Sequence, residues 1–266
     1  MPDLSRYDDV LALLRDHATT TAGVRLVVVG GSAATGRYDV HSDLDVELWV
    51  DGPPDATYDE LFGRLAERLD VDQVWEVLRE RWPDGTRQLF AHLQPDPGDL
   101  SRPTRIVDLA VHPMPEAGEV VIDPRRHGTP IVLHDPDAVL HLGPEDEARH
   151  EETRAAVLAD IAARRGTAEW LVRRALARGE LAEAHGFYLR FAFTPLVELL
   201  RMEHCPARHD FGLRYLDTDL PEGYAERLHE LLPGPELGDR ATRVFAWTDE
   251  LLAGQALKDE PENRPG

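Results

Sequence analysis

The chain has 266 residues, 42% hydrophobic and 30% charged, the balance of an ordinary soluble globular protein rather than a disordered or fibrous one. With 50 acidic side chains against 29 basic ones the net charge is -21, and Lys258 is the only lysine; this argues against a surface of clustered bases that holds nucleic acid and favours a small-molecule acceptor of cationic character. No apolar run reaches the roughly 18 residues of a membrane span, and the start lacks a basic segment followed by an apolar one, so a cytoplasmic protein with no membrane partner is expected.

In chain order, residues 4–17 place Leu4, Val10, Leu11, Leu13 and Leu14 near one face of an amphipathic helix, which breakers around Gly23 should end. Val24 to Val29 is a β-branched run that closes on Gly30-Gly31, the pattern of a buried strand entering a tight turn. A second strand is predicted over His41 to Val50, where a period of two puts Asp43, Asp45, Glu47 and Trp49 on one face and Leu44, Val46, Leu48 and Val50 on the other. A helix over Tyr58 to Leu69 and strands at Val74 to Glu80, Gln88 to Leu93 and Arg105 to Val111 follow, separated by turns with Pro or Gly.

From Pro144 onward the periodicity is helical throughout, with helices expected at 145–165, 167–179, 181–203, 221–232 and 236–255 and breaks near Gly166, Pro221 and Pro233. The fold class is therefore α+β: an α/β-like mixed sheet with flanking helices over 1–143, an all-α helical bundle over 144–258, and a disordered tail over 259–266. No internal repeat marks the chain.

Chemistry concentrates between Gly30 and Val46. The Gly-Gly-Ser turn after a strand exposes backbone N–H groups and the Ser32 hydroxyl where no Cβ blocks approach, a setting suited to phosphate oxygens. Ten residues lie between Ser32 and Asp43, enough to cross back and start a neighbouring strand beside that turn. Asp43-Leu44-Asp45 directs two carboxylates from one strand face, a donor set for one or two Mg²⁺ ions that also take water and phosphate oxygens. Asp108 stands in the apolar run Ile106 to Val111, where an unmet carboxylate is costly.

On these residues, Gly31-Ser32, the spacer, Asp43-Leu44-Asp45 and the later strand acid Asp108, the sequence resembles the nucleotidyltransferase superfamily that includes DNA polymerase beta and the antibiotic-modifying nucleotidyltransferases. The layout of a sheet domain followed by helices, with Phe193 to Leu200 and then Leu220-Pro221, is similar to the aminoglycoside and lincosamide branch. The resemblance implies transfer of a nucleoside monophosphate, ATP being the favoured donor, onto a hydroxyl of a small molecule such as an aminoglycoside-type antibiotic, with pyrophosphate leaving. It implies Asp43, Asp45 and Asp108 as catalytic residues and ligands of two Mg²⁺ ions, with Asp108 completing the metal shell or taking the acceptor proton. Gly31 and Ser32 would hold the β- and γ-phosphates, helped by Ser42 and Arg37, and Glu47 is a substitute base. The chain would act as a monomer or homodimer. Modification of a protein or RNA, and nucleotide binding without turnover, are the competing functions.

The remaining residues have plainer readings. The histidines show no metal-ligand spacing, Cys205 reads as a packing thiol, and Phe187, Tyr188, Phe191 and Phe193 read as a core face. Arg208 and Arg214 could bring positive charge to a triphosphate from the helical half.

Overall fold

The computed structural model describes residues 2–93, 105–144, 146–234 and 236–259, the side chains of 255–259 apart. Its contacts divide the chain into two units, Met1–Glu145 and Asp146–Gly266.

The first unit is built on a six-stranded mixed sheet. After a short 3₁₀ turn at Ser5–Tyr7 come α1 (Asp8–Thr20), β1 (Val24–Val29), α2 (Gly31–Thr35), β2 (Leu44–Val50), α3 (Asp55–Arg68), β3 (Val71–Glu76), β4 (Arg87–Leu93) and β5 (Arg105–Pro113). Then follow β6 (Val120–Ile122), α4 (Pro124–His127), β7 (Ile131–His134) and β8 (Leu140–Leu142). The strand order is β3-β4-β5-β2-β1-β7, with β2 and β5 parallel and the other neighbours antiparallel, while β6 and β8 form a separate parallel pair. The three short strands between Val120 and Leu142 carry too few residues for a period of two to stand out, and none was expected.

Period-two burial explains the two faces of this sheet. Val27, Val29, Leu44, Val46, Leu48, Leu89, Ala91, Val107, Leu109 and Val111 join Val10, Leu14, Tyr58, Leu61 and Leu65 of α1 and α3 in one core. On the opposite face Leu26, Val28 and Trp49 pack with Val120 and Val139. That second cover is small, and beyond it the same face carries Asp45, Glu47, Asp108 and Gln88, all part-exposed.

β2 begins at Leu44, not His41. The reason is a turn: the Asp39 carboxylate accepts from the His41 N–H (2.8 Å) and the Ser42 hydroxyl (3.1 Å), and Ser42 Oγ accepts from the Asp39 N–H (2.9 Å), so residues 39–42 are held in local bonds that compete with a ladder. Asp43 thus precedes the strand. The fully buried Tyr7 side chain fixes this end of the sheet, its hydroxyl donating to Ile106 O and accepting from Ile106 N, each at 3.1 Å.

His17 of α1 is fully buried, with Nδ1 3.1 Å from Thr21 Oγ1 and Nε2 without a hydrogen-bond partner among the described residues. Burial, assisted by Arg64, holds its pKa below the ordinary value against the pull of Glu60 and Asp16. A histidine whose folded pKa is depressed takes up its proton preferentially in the unfolded chain, so stability is full above about pH 6.5 and falls as pH drops through the folded value. Thermal melts between pH 8 and pH 5 should show this decline, and His17→Gln should flatten it; an unchanged slope in the variant would assign the acid sensitivity to other groups.

The second unit is helical: α5 (Glu147–Ala177), α6 (Leu181–Tyr188), a π-helical segment at Leu189–Phe193, α7 (Thr194–His204), α8 (Leu216–Asp219), α9 (Tyr224–His229) and α10 (Leu237–Asp259). The break expected at Gly166 does not occur. Ile161, Ala168, Val172 and Ala175 continue one buried stripe through it, and a lone interior glycine costs only about 1 kcal/mol. The π segment has a local cause: Pro195 cannot donate to the carbonyl four residues back, and the preceding Thr194 N–H reaches Leu189 O instead. Of the helix expected at 221–232 only α9, Tyr224–His229, forms, and the short α8 lies ahead of it. α10 runs to Asp259, one residue into the expected tail, whose other residues, 260–266, lie outside the described residues.

Tyr188 is fully buried and donates to Leu231 O, which makes it a core residue with Phe193, Leu196 and Val244. Cys205 is half-buried against that core. No helix among the described residues is long and apolar enough to cross a membrane.

Candidate active site

Three strands bring the site together. β2 and β5 run parallel in a register that pairs Asp45 with Asp108 and Glu47 with Ala110, and β4 pairs Gln88 with Ala110 and Phe90 with Asp108. Paired residues share a face, so Asp45, Glu47, Asp108 and Gln88 converge, and with Val46, Ala110, His112 and Trp82 they line a cleft of about 180 Å³. Gln88 Nε2 donates to Asp108 Oδ1 at 2.7 Å, which orients that carboxylate.

The Gly30-Gly31 turn closes the β1 side. Gly30 donates its N–H to Asp45 O (2.9 Å) as the chain leaves β1. A Cβ on Gly30 would stand 3.2 Å from Glu47 Oε1, and one on Gly31, whose φ is +53°, would stand 1.8 Å from Asp45 Oδ2. The missing side chains are therefore the space in which the two carboxylates sit. Gly31→Ala should displace the Asp45 carboxylate and cost about 1–2 kcal/mol for the left-handed backbone alone. A melting temperature equal to that of the parent protein would show that the turn relaxes freely.

Ser32 Oγ, one residue on, is buried and has no hydrogen-bond partner among the described residues. A buried hydroxyl left unmet costs about 1–3 kcal/mol, and a ligand oxygen would remove that cost. The Ser42 hydroxyl is engaged with Asp39 in the turn described above. Arg37 follows the left-handed Gly36 that ends α2, and its backbone N–H donates to Ser32 O at 2.9 Å. Asp43, in the segment before β2, is not among the residues lining the cleft.

The carboxylates crowd one another. Burial first, then the charges of Asp45 and Asp108, push Glu47 up to about 7. Its neighbour His112 stacks on Trp49 with ring centroids 4.9 Å apart, its Nε2 lies 3.7 Å from Glu47 Oε2, and its Nδ1 lies 3.0 Å from Thr86 Oγ1. Burial holds His112 down to about 4 against the nearby Asp84, so it supplies no positive charge at neutral pH. The gathering of Asp45, Glu47 and Asp108 around one cleft is the arrangement that fits a cation here.

Among the described residues no three His, Cys, Asp or Glu side chains make a metal cage. Mg²⁺ is commonly held by one or two carboxylates with waters and substrate phosphates as the other ligands, and Asp45 and Asp108, paired across β2 and β5, supply two carboxylates on one face.

Sequence reasoning singled out Gly31, Ser32, Asp45, Glu47 and Asp108, which the fold gathers, but not Gln88, Trp82 or His112. His112 had a usable signal, since it falls on the face of Asp108 four residues along the same strand. Gln88 and Trp82 had none, because cross-strand register and a loop place them. In the second unit Arg208 is committed to Asp219, with Nη2 2.7 Å from Oδ1.

No protein-family model matches the sequence, and no curated protein matches it. Among solved structures the chain is similar to one described as the Cid1 poly(U) polymerase with MgGTP bound, with 15% identity and a TM-score of 0.29 over 40% of this chain. The match spans 31% of that chain.

Proposed function

We propose that this protein is a Mg²⁺-dependent nucleotidyltransferase that moves a nucleoside monophosphate, with ATP the favoured donor, onto a hydroxyl of a small molecule. The observation that carries the reading is the pairing of Asp45 with Asp108 on adjacent parallel strands, beside a Gly30-Gly31-Ser32 turn that packs on the acids and holds an unmet hydroxyl.

Asp45 and Asp108, with Asp43 at the entry to β2, would hold Mg²⁺, which when bound offsets the charge of the triphosphate and of the leaving pyrophosphate. Ser32 Oγ and the glycine turn would take β- and γ-phosphate oxygens. The acceptor oxygen bonds to the α-phosphorus, the bond from that phosphorus to the bridging oxygen breaks, and pyrophosphate departs with the electron pair. The acceptor proton would pass to a carboxylate, for which we take Asp108, oriented by Gln88, as the candidate, and such general-base help is worth about 10²- to 10⁴-fold. The charge of -21 disfavours RNA as acceptor.

The test is a thermal-shift screen with each nucleoside triphosphate and Mg²⁺, followed by transfer from labelled ATP to a panel of hydroxylated amines. A ligand at 100 times its Kd stabilises by about 2.7 kcal/mol, several degrees in a domain of this size. No shift with any triphosphate would end this reading.

A further inference from the structure

The acid row does not stop at Asp108. Through the strand register it continues from Asp45 and Asp108 to Phe90 on β4 and Trp75 on β3, all on one sheet face. Trp75 and Phe90 stack with centroids 5.0 Å apart and planes 16° from parallel, yet Trp75 is 60% exposed. Trp82, 36% exposed, lines the carboxylate cleft itself. β3 is the edge of the sheet, so Phe90 and Trp75 form an open aromatic step one and two strand spacings, about 5 and 10 Å, from Asp108.

On the reading just given, direction follows from the chemistry. Phosphoryl displacement places attacking and leaving oxygens in line. The glycine turn approaches Asp45 and Glu47 from the β1 side, which assigns the leaving pyrophosphate to that side. The attacking group must then arrive from the side of β5, β4 and β3, across Trp82, Phe90 and Trp75.

We propose that Trp75, Phe90 and Trp82 form the acceptor subsite, and that the acceptor carries a flat, positively charged ring. A third ring extends an offset stack of two, and a cation is drawn to the face of tryptophan. The carboxylates in the adjoining cleft add attraction for a cation and repel an anion.

Calorimetric titration of the full chain with N-methylquinolinium, a planar cation, and with 2-naphthoate, a planar anion of similar size, tests the subsite without requiring turnover. Saturable binding of the cation and none of the anion is expected. Trp75→Ala and Trp82→Ala should each weaken the cation about tenfold, the scale of one lost stacking or cation–π contact. Trp75→Phe should restore binding to within about twofold, and Trp170→Ala, at an exposed tryptophan of the second unit, should leave it unchanged. Equal affinity in the parent, Trp75→Ala and Trp82→Ala proteins would overturn the assignment, as would equal binding of the anion. The thermal shift with MgATP reports separately on the carboxylate site, so failure of the subsite and failure of the nucleotidyltransferase reading are told apart.

Discussion

Asp45→Asn and Asp108→Asn should each lower nucleotidyl transfer by roughly 10³-fold or more, because on the proposed function each removes a carboxylate that would hold the metal, and Asp108 would also receive the acceptor proton. The direction of the stability change separates this from a folding defect. In the metal-free protein the charges of Asp45 and Asp108 help raise the pKa of part-exposed Glu47, so neutralising either relieves repulsion. The variants should melt no lower than the parent without Mg²⁺, and should lose the gain that Mg²⁺ with a triphosphate gives the parent. Ser32→Ala makes a useful companion, since its hydroxyl has no hydrogen-bond partner among the described residues and its removal should spare the fold while weakening triphosphate binding. Near-normal turnover in Asp45→Asn would show the metal assignment to be wrong, and a large drop in its melting temperature would give Asp45 a structural role instead.

What could be read from the sequence was what depends on local periodicity. The alternation from Leu44 to Val50 placed acid on one face and core on the other, and Asp108 stood out as a carboxylate in an apolar strand. The limits have physical causes as well. Asp43 was assigned to the strand because alternation takes no account of the Asp39 and Ser42 side chains, whose bonds hold the chain in a turn until Leu44. The space above the Gly31 backbone takes the Asp45 carboxylate, a contact between the start of α2 and β2 that no local pattern contains. Gln88 and Trp82 reach the cleft through the register of β4 and the loop before it. Gly166 was given too much weight as a breaker because its small intrinsic cost is set against a buried stripe on both sides.

The largest loss of stability is expected in the second unit, from Arg201→Met. Arg201 and Asp219 have fully buried side chains and form an ion pair at 2.9 Å between Nη1 and Oδ2. The guanidinium also donates to the carbonyls of Gly212 (2.8 Å), Arg208 (3.3 Å) and Arg214, so one side chain gathers the segment after α7 that has little helix of its own. Removing it takes a donor from three carbonyls and from a buried carboxylate that Arg208 also meets at 2.7 Å. Breaking one side of a buried pair costs about 3–5 kcal/mol, whereas replacing both partners by apolar groups is far milder. Urea unfolding should therefore rank Arg201→Met as most damaging, Arg201→Met with Asp219→Leu as partly recovered, and Arg208→Ala as mild, because the Arg208 side chain is 19% exposed and Asp219 keeps Arg201. A loss below about 1 kcal/mol in Arg201→Met would mean that water replaces the guanidinium in the cluster. That ordering also bears on Arg208 as a phosphate contact: its guanidinium lies 2.7 Å from Asp219 Oδ1, so it would have to give up that ion pair to meet a triphosphate.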